Sequence, residues 1–177
     1  MSRCITIYTD ASVCPKTGAG GWAAWIKTAP GETALHSGAF KTRVTNSTDA
    51  EMRAIANALA IVKKLYDTKD CIIVVVTDSQ QAIGTIDIVR FGDKKPLSKK
   101  TKRNRKKRGI PFKALADSIV ENQPPCIELR LNWVKGHNGN KDGARSYVNR
   151  LVDNASRKKM REARLQKGAP GENTSKA

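Results

Sequence analysis

The sequence predicts an α/β domain in which a mixed five-stranded sheet is flanked by helices. Three observations carry this expectation. Three strand-like segments come first, between residues 3 and 41, separated by glycine- and proline-marked turns. A continuous apolar run, IIVVV at 72–76, then stands between two segments with helical spacing. Last comes the alternating segment IELRLNWV, residues 127–134, followed by a helical pattern.

Taken in order, residues 3–9 read as a strand, and Gly18, Gly20 and Gly21 punctuate the loop after it. Residues 21–28 and 33–41 read as two more strands, joined at the turn pair Pro30-Gly31. Over 49–65, Met52, Ile55, Leu59 and Val62 recur at helical spacing and should face the sheet. Residues 71–77 have the composition of a central strand covered on both faces. Helices are expected at 79–91, 111–121 and 146–165, with the half-buried strand 127–134 before the last. The first three strands suit an antiparallel meander, and the two later strand–helix units suit parallel crossovers. Residues 1–165 are expected to form one domain, and 166–177 a flexible polar tail.

The net charge is +17 over 177 residues, which predicts attraction to a polyanion, most commonly nucleic acid. The charge is concentrated in DKKPLSKKTKRNRKKRG, residues 93–109, where ten of the fifteen residues from Lys94 to Arg108 are basic. A solvated charged loop is the ordinary reading of such a run. The basic character of the whole chain favours a nucleic-acid contact. No segment reaches the roughly 18 apolar residues of a membrane span, and no apolar leader is visible. A soluble, cytoplasmic protein without a membrane partner is therefore expected. Cys4, Cys71 and Cys126 fall in or beside strands and read as small buried thiols of a reducing compartment, with Cys14 in a loop. Without a Cys-x-x-Cys pair, and with two histidines, zinc is not expected.

Two apolar segments end on the same pair, Thr9-Asp10 and Thr77-Asp78. If these strands are parallel neighbours, their carboxylates lie roughly 5 Å apart. Two bare carboxylates at that distance repel, and a hard divalent cation such as Mg²⁺ or Mn²⁺ removes the conflict. Simpler readings exist for each acid. Asp78 fits the N-cap of the next helix, and Asp10 could start a turn. Glu51 in Thr48-Asp49-Ala50-Glu51 matches a capping box. Asp153 shares a helix face with Asn149 and Arg157, as an ordinary exposed charge would. In WVKGHNGN, residues 133–140, Lys135, Gly136 and His137 open a loop at the end of a strand.

Together YTDAS, NSTDAEM, VTDSQ, WVKGH and NRLVDNAS, in that order, resemble ribonuclease H of type 1 over about residues 3–160. The resemblance implies strand order 3-2-1-4-5 and metal-binding carboxylates at Asp10, Glu51, Asp78 and Asp153. It implies His137 as a mobile auxiliary catalytic residue. The run 93–109 looks similar to the basic protrusion with which some members grip their substrate, an RNA–DNA hybrid. Lys99, Lys100, Lys102, Arg103, Arg105 and Lys106 are the expected contacts there. Ser12, Arg43, Thr45 and Asn46 are further candidate nucleic-acid contacts, the last three for a DNA phosphate. The chain departs from the family pattern at Ala11, where glycine is usual. It departs again at Ser47 and Thr48, where Asn or Gln is often found, with Asn46 one step further out.

The activity so implied is hydrolysis of the RNA strand by a monomer with two Mg²⁺ ions (Mn²⁺ being the other candidate) and products ending in 5′-phosphate and 3′-hydroxyl. Asp10 would bridge the ions, with Glu51 and Asp78 on one and Asp153 on the other. Two other classes fit parts of the pattern: a non-catalytic binder of hybrids or duplex RNA, and a nuclease of the same fold with another substrate. An aspartyl-phosphate enzyme fits less well, because Ser12 and Gln80 stand where such enzymes commonly place a second Asp.

Overall fold

A computed structural model of the protein describes residues 3–28, 31–93, 99–135 and 143–168. The strands are β1 (Arg3–Val13), β2 (Gly20–Lys27), β3 (Thr33–Ala39), β4 (Cys71–Thr77) and β5 (Glu128–Trp133). The helices are α1 (Ser47–Leu65), α2 (Gln80–Phe91), α3 (Lys99–Arg108), α4 (Lys113–Asn122) and α5 (Gly143–Gly168). The sheet order is β3-β2-β1-β4-β5. β1–β2 and β2–β3 are antiparallel, and β1–β4 and β4–β5 are parallel. Meander and crossovers thus follow the expected plan.

One face of the sheet carries the main core. Ile5, Ile7, Ile73, Val75 and Leu129 meet Met52, Ile55, Leu59 and Val62 of α1, with Ala82 and Ile86 of α2 and Ala116 and Ile119 of α4. On the other face α5 packs across β2, β1 and β3. It does not extend over β4 and β5 in the same way, so Ile72 and Val74 are only half-buried. The expectation that β4 is covered on both faces is corrected accordingly. β5 alternates as predicted, with Leu129 buried and Glu128, Arg130 and Asn132 exposed.

Four further differences have local causes. β1 does not end at Asp10 but continues to Val13, because Asp10, Ala11, Ser12 and Val13 keep pairing with β2 down to Gly20. The basic run, expected as a loop, contains the helix α3, with no apolar stripe to announce it; Lys and Arg are good helix formers. α5 runs through Gly168, so the start of the expected tail, residues 166–168, is helical, and the remainder lies outside the described residues. Cys4 is exposed rather than buried, because its side of β1 faces away from the core; Cys71 is buried and Cys126 half-buried. Among the described residues, no helix is long and apolar enough to cross a membrane.

Candidate active site

The β1–β4 ladder aligns Tyr8 with Val76, and continuing the same offset two residues further brings Asp10 level with Asp78. The two Thr-Asp pairs therefore meet at the carboxyl edge of the central strands. The N-terminal part of α1 points Glu51 at the same spot. One carboxylate oxygen from each of Asp10, Glu51 and Asp78 lies within 4.8 Å of the other two.

Two caps, each shifted from its expected position, free these acids. Asn46, not Thr48, caps α1: its side chain accepts from the Asp49 amide at 3.0 Å. Asp49 completes the arrangement by accepting from the Thr45 amide and hydroxyl, both at 2.9 Å. Glu51 therefore does not reach back to the cap. It accepts instead from the Ala11 amide at 3.0 Å and the Thr77 hydroxyl at 3.4 Å. At the next helix, Ser79 and not Asp78 is the cap, accepting from the Ala82 amide at 3.2 Å. Asp78 stays exposed at the strand end.

The electrostatics record the crowding. Burial pushes the Asp10 carboxyl up to about 7, helped by the charges of Asp153 and Asp78 and opposed by the Ser156 hydrogen bond and the Arg157 charge. Glu51 is also pushed well above the usual carboxylate range, first by burial and then by the charges of Asp10 and Asp78. Among the described residues, ordinary ion pairing does not neutralise this cluster, and the guanidinium of Arg157 binds Asp153 at 2.7 Å. Three hard oxygen donors, converging and under-compensated, fit a divalent cation such as Mg²⁺ or Mn²⁺. Asp153 lies outside the close group of three, though near enough for its charge to act on Asp10.

Ser156 was not anticipated. Its hydroxyl donates to Asp10 Oδ2 at 2.5 Å and lies 3.1 Å from Ser12 Oγ. It stands on the sheet-facing row of α5 with Val148 and Val152, and it is fully buried. A polar residue at helical spacing within an apolar row was the available signal. Gly21 lets it approach: a methyl group there would collide with the Ser156 carbonyl oxygen and the Met160 amide nitrogen.

The remaining sequence candidates are spread around this edge. Ser12 sits on β1 against Ser156. Arg43 is exposed and its side chain crosses Gly18, whose positive φ of 67° and lack of a Cβ make room. Thr45 and Asn46 have polar groups committed to the α1 cap. Thr45 also lines a cavity of about 860 Å³ with Lys41, Arg53, Phe112 and Leu115. Lys102, Arg103 and Lys106 are exposed on α3. Lys99, Lys100 and Arg105 belong to the same helix. His137 lies outside the described residues. The β5 edge leading toward it is anchored by Trp133 Nε1, which donates to the Asp78 carbonyl at 2.9 Å, and by the Val134 amide on the Thr77 carbonyl.

Residues 2–161 match the RNase H family. The chain belongs to that family. RNase H is a family of hydrolases, so the chain is an enzyme of the ribonuclease class. A Ribonuclease H of Albidiferax ferrireducens is 30% identical over 157 residues, covering 88% of this chain and 98% of that protein. One from Haemophilus influenzae is 32% identical over 142 residues, covering 80% of this chain and 84% of its own. Among solved structures, an N-terminal RNase H domain from Mycobacterium tuberculosis aligns with a TM-score of 0.59 at 19% identity, over 94% of this chain and 99% of that one. RNase H1 of the archaeon Halobacterium salinarum aligns at 0.57 and 14%, over 90% and 99%. These two structural likenesses concern the RNase H fold.

Proposed function

We propose that this RNase H-family member cleaves the RNA strand of RNA–DNA hybrids with two divalent metal ions, leaving 5′-phosphate and 3′-hydroxyl ends. The observation that carries the reading is the cluster of Asp10, Glu51 and Asp78 at the carboxyl edge of two parallel strands. Asp10, Glu51, Asp78 and Asp153 would hold the ions, Mg²⁺ or Mn²⁺. When bound, such ions supply a nucleophilic water and neutralise charge at the leaving oxygen.

The chain's own residues prepare the place for this chemistry. The backbone of β1 and β4 fixes Asp10 and Asp78, so little reorganisation is needed at the moment of reaction. Ser156 orients Asp10 by donating to one of its oxygens. The Ala11 amide and Thr77 hydroxyl orient Glu51, leaving it turned toward Asp10. Arg157 holds Asp153 at one side, a contact that would have to loosen for Asp153 to act as a ligand. His137 assists proton transfer or product departure. Lys99, Lys100, Lys102, Arg103, Arg105 and Lys106 of α3 hold backbone phosphates by charge. Ser12, Arg43, Thr45 and Asn46 contact the hybrid nearer the site. The protein works as a monomer in the cytoplasm, where four free cysteines are at home.

The test compares wild type with Asp10→Asn and Asp78→Asn on labelled RNA–DNA, RNA–RNA and DNA–DNA duplexes, with and without Mg²⁺. Cleavage confined to the hybrid, dependent on Mg²⁺ and lost in both variants is the expected result. Near-normal cleavage by both variants would sink the metal-site reading, and equal cleavage of the RNA duplex would sink the hybrid specificity.

A further inference from the structure

The mechanism uses Asp153, Ser156 and Arg157 of α5, but leaves the rest of this helix unexplained. Its 26 residues carry eight basic side chains and two acids. Both acids are already engaged within the helix, Asp153 by Arg157 and Glu162 by Lys159. Arg150, Arg157, Arg161 and Arg164 are all exposed. Their spacings of seven, four and three residues align them in one stripe on the helix. At 1.5 Å per residue the stripe is about 21 Å long. It is made of arginine, whose planar fork suits phosphate oxygens.

The stripe also lies in the right place. The loop of residues 14–19 leaves β1 just after Val13, at the same sheet edge as Asp10. Arg164 is one helical turn beyond Met160, whose backbone lies on Gly21 where β2 begins after this loop, and its charge reaches the Cys14 thiol, which hydrogen bonds from Thr17 are the first to hold below its usual pKa. Lys16 is exposed in the same loop, and Arg43 crosses it at Gly18. The cationic surface therefore runs from the carboxylate cluster along α5 to this loop. α5 itself is on the opposite face of the sheet from α1, α2 and α4, and α3 comes between α2 and α4 in the chain.

We propose that Arg150, Arg157, Arg161 and Arg164 of α5, with Lys16, form a second phosphate-binding track that holds nucleic acid on the flank of the site away from α3. The inference rests on the reading of the carboxylate cluster as a hybrid nuclease site, and it lengthens the substrate footprint that α3 alone would give. Charge complementarity and continuity with the cluster favour a nucleic-acid strand as the occupant over an acidic protein or a membrane.

The experiment measures affinity in EDTA for hybrids of about 8 and about 30 base pairs across a salt series. It uses wild type, Lys16→Gln/Arg161→Gln/Arg164→Gln and, for reference, Lys102→Gln/Arg103→Gln/Lys106→Gln. Arg157 is left in place because it holds Asp153. The α5 variant should lose about tenfold of the long-over-short affinity ratio, with a salt slope lower by about two to three. Combined with the α3 substitutions, the losses should add in free energy, as for separate contacts. An unchanged ratio and slope would overturn the track. Loss of retention on anionic vesicles with nucleic-acid binding intact would also overturn it, assigning the stripe to a membrane surface. The same loss on RNA–RNA and DNA–DNA duplexes would support the track, while the cleavage assay on short duplexes judges the hybrid reading separately.

Discussion

Asp49 and Glu51 stand two residues apart near the start of α1 and are almost equally sealed from water, at 3% and 6% exposure. Their charges meet opposite fates. Asp49 receives the Thr45 amide and hydroxyl and two guanidinium nitrogens of Arg53, at 2.6 and 3.1 Å. Burial works against its charge, but these partners outweigh it and hold the carboxyl below its usual range. Among the described residues Glu51 has two hydrogen bonds and no cation, and it faces Asp10 and Asp78. Burial by itself therefore does not decide what a carboxylate does. A compensated acid anchors a helix, whereas an uncompensated one is a place for something positive to bind.

The sharpest way to break the comparison is Glu51→Gln. If Glu51 serves as a metal ligand, hybrid cleavage should fall by more than the 10- to 100-fold typical of a lost outer partner. The same variant should raise the melting temperature of the metal-free protein at pH 8, by about 2–4 °C for each kcal/mol of repulsion removed. A calorimetric scan in EDTA checks this; a lower melting temperature would mean that the glutamate is structural after all.

Asp49→Ala should act in the reverse sense. Loss of the cap partner, with Arg53 left without its carboxylate, should cost about 2 kcal/mol. That corresponds to a melting temperature lower by about 4–8 °C. Activity per folded molecule should change far less than in Glu51→Gln, and an equal collapse of cleavage would erase the distinction between the two acids.

Acid separates them further. Asp10 and Glu51 hold their protons more tightly in the folded than in the unfolded state. Their contribution to metal-free stability is therefore greatest below the unfolded value near 4; that of Asp10 is lost as pH rises through about 7, and that of Glu51 as pH rises through its own raised folded value. Asp49 contributes the other way, with stability present above the unfolded value and lost as pH falls toward its lowered folded value. In EDTA the Asp10–Glu51 pair should make the protein less stable at pH 8 than at pH 5.5, a slope that Asp10→Asn should flatten. Added Mg²⁺ should raise the melting temperature more at pH 8 than at pH 5.5, since the ion must displace protons at the lower pH.

The smallest effect is expected at Ser156→Ala. Without its hydrogen bond the Asp10 carboxyl should titrate higher still, visible in a carbon NMR titration of the metal-free protein. An unmoved titration would show that the hydroxyl does not govern Asp10.

Much of this arrangement was legible in the sequence because it follows from patterns of short range. The spacing of Met52, Ile55, Leu59 and Val62 describes which face of α1 is buried, and the structure agrees; the apolar run 71–77 marks the central strand, but not that one of its faces is only partly covered. Caps were misread by one or two residues, since Asn46 and Thr48, or Asp78 and Ser79, are equally good caps on paper. In the structure Asn46 and Ser79 accept the cap hydrogen bonds, from the amides of Asp49 and Ala82. α3 escaped because an all-polar helix has no apolar period to detect. The contacts of Ser156 with Asp10 and of Arg157 with Asp153 depend on how α5 crosses the sheet, which no local pattern encodes.

That crossing hinges on a single missing side chain. At Gly21 the backbone of α5 lies directly on the backbone of β2. The clearance between helix and sheet is therefore set by main-chain atoms, which cannot relax by changing rotamer. A methyl group added at Gly21 would press on the helix backbone and draw the Ser156 hydroxyl off Asp10, altering the chemistry from a position that bears no charge. Gly21 is thus a mechanical lever on the reaction centre, and the part of the sheet where the smallest change in sequence reaches furthest.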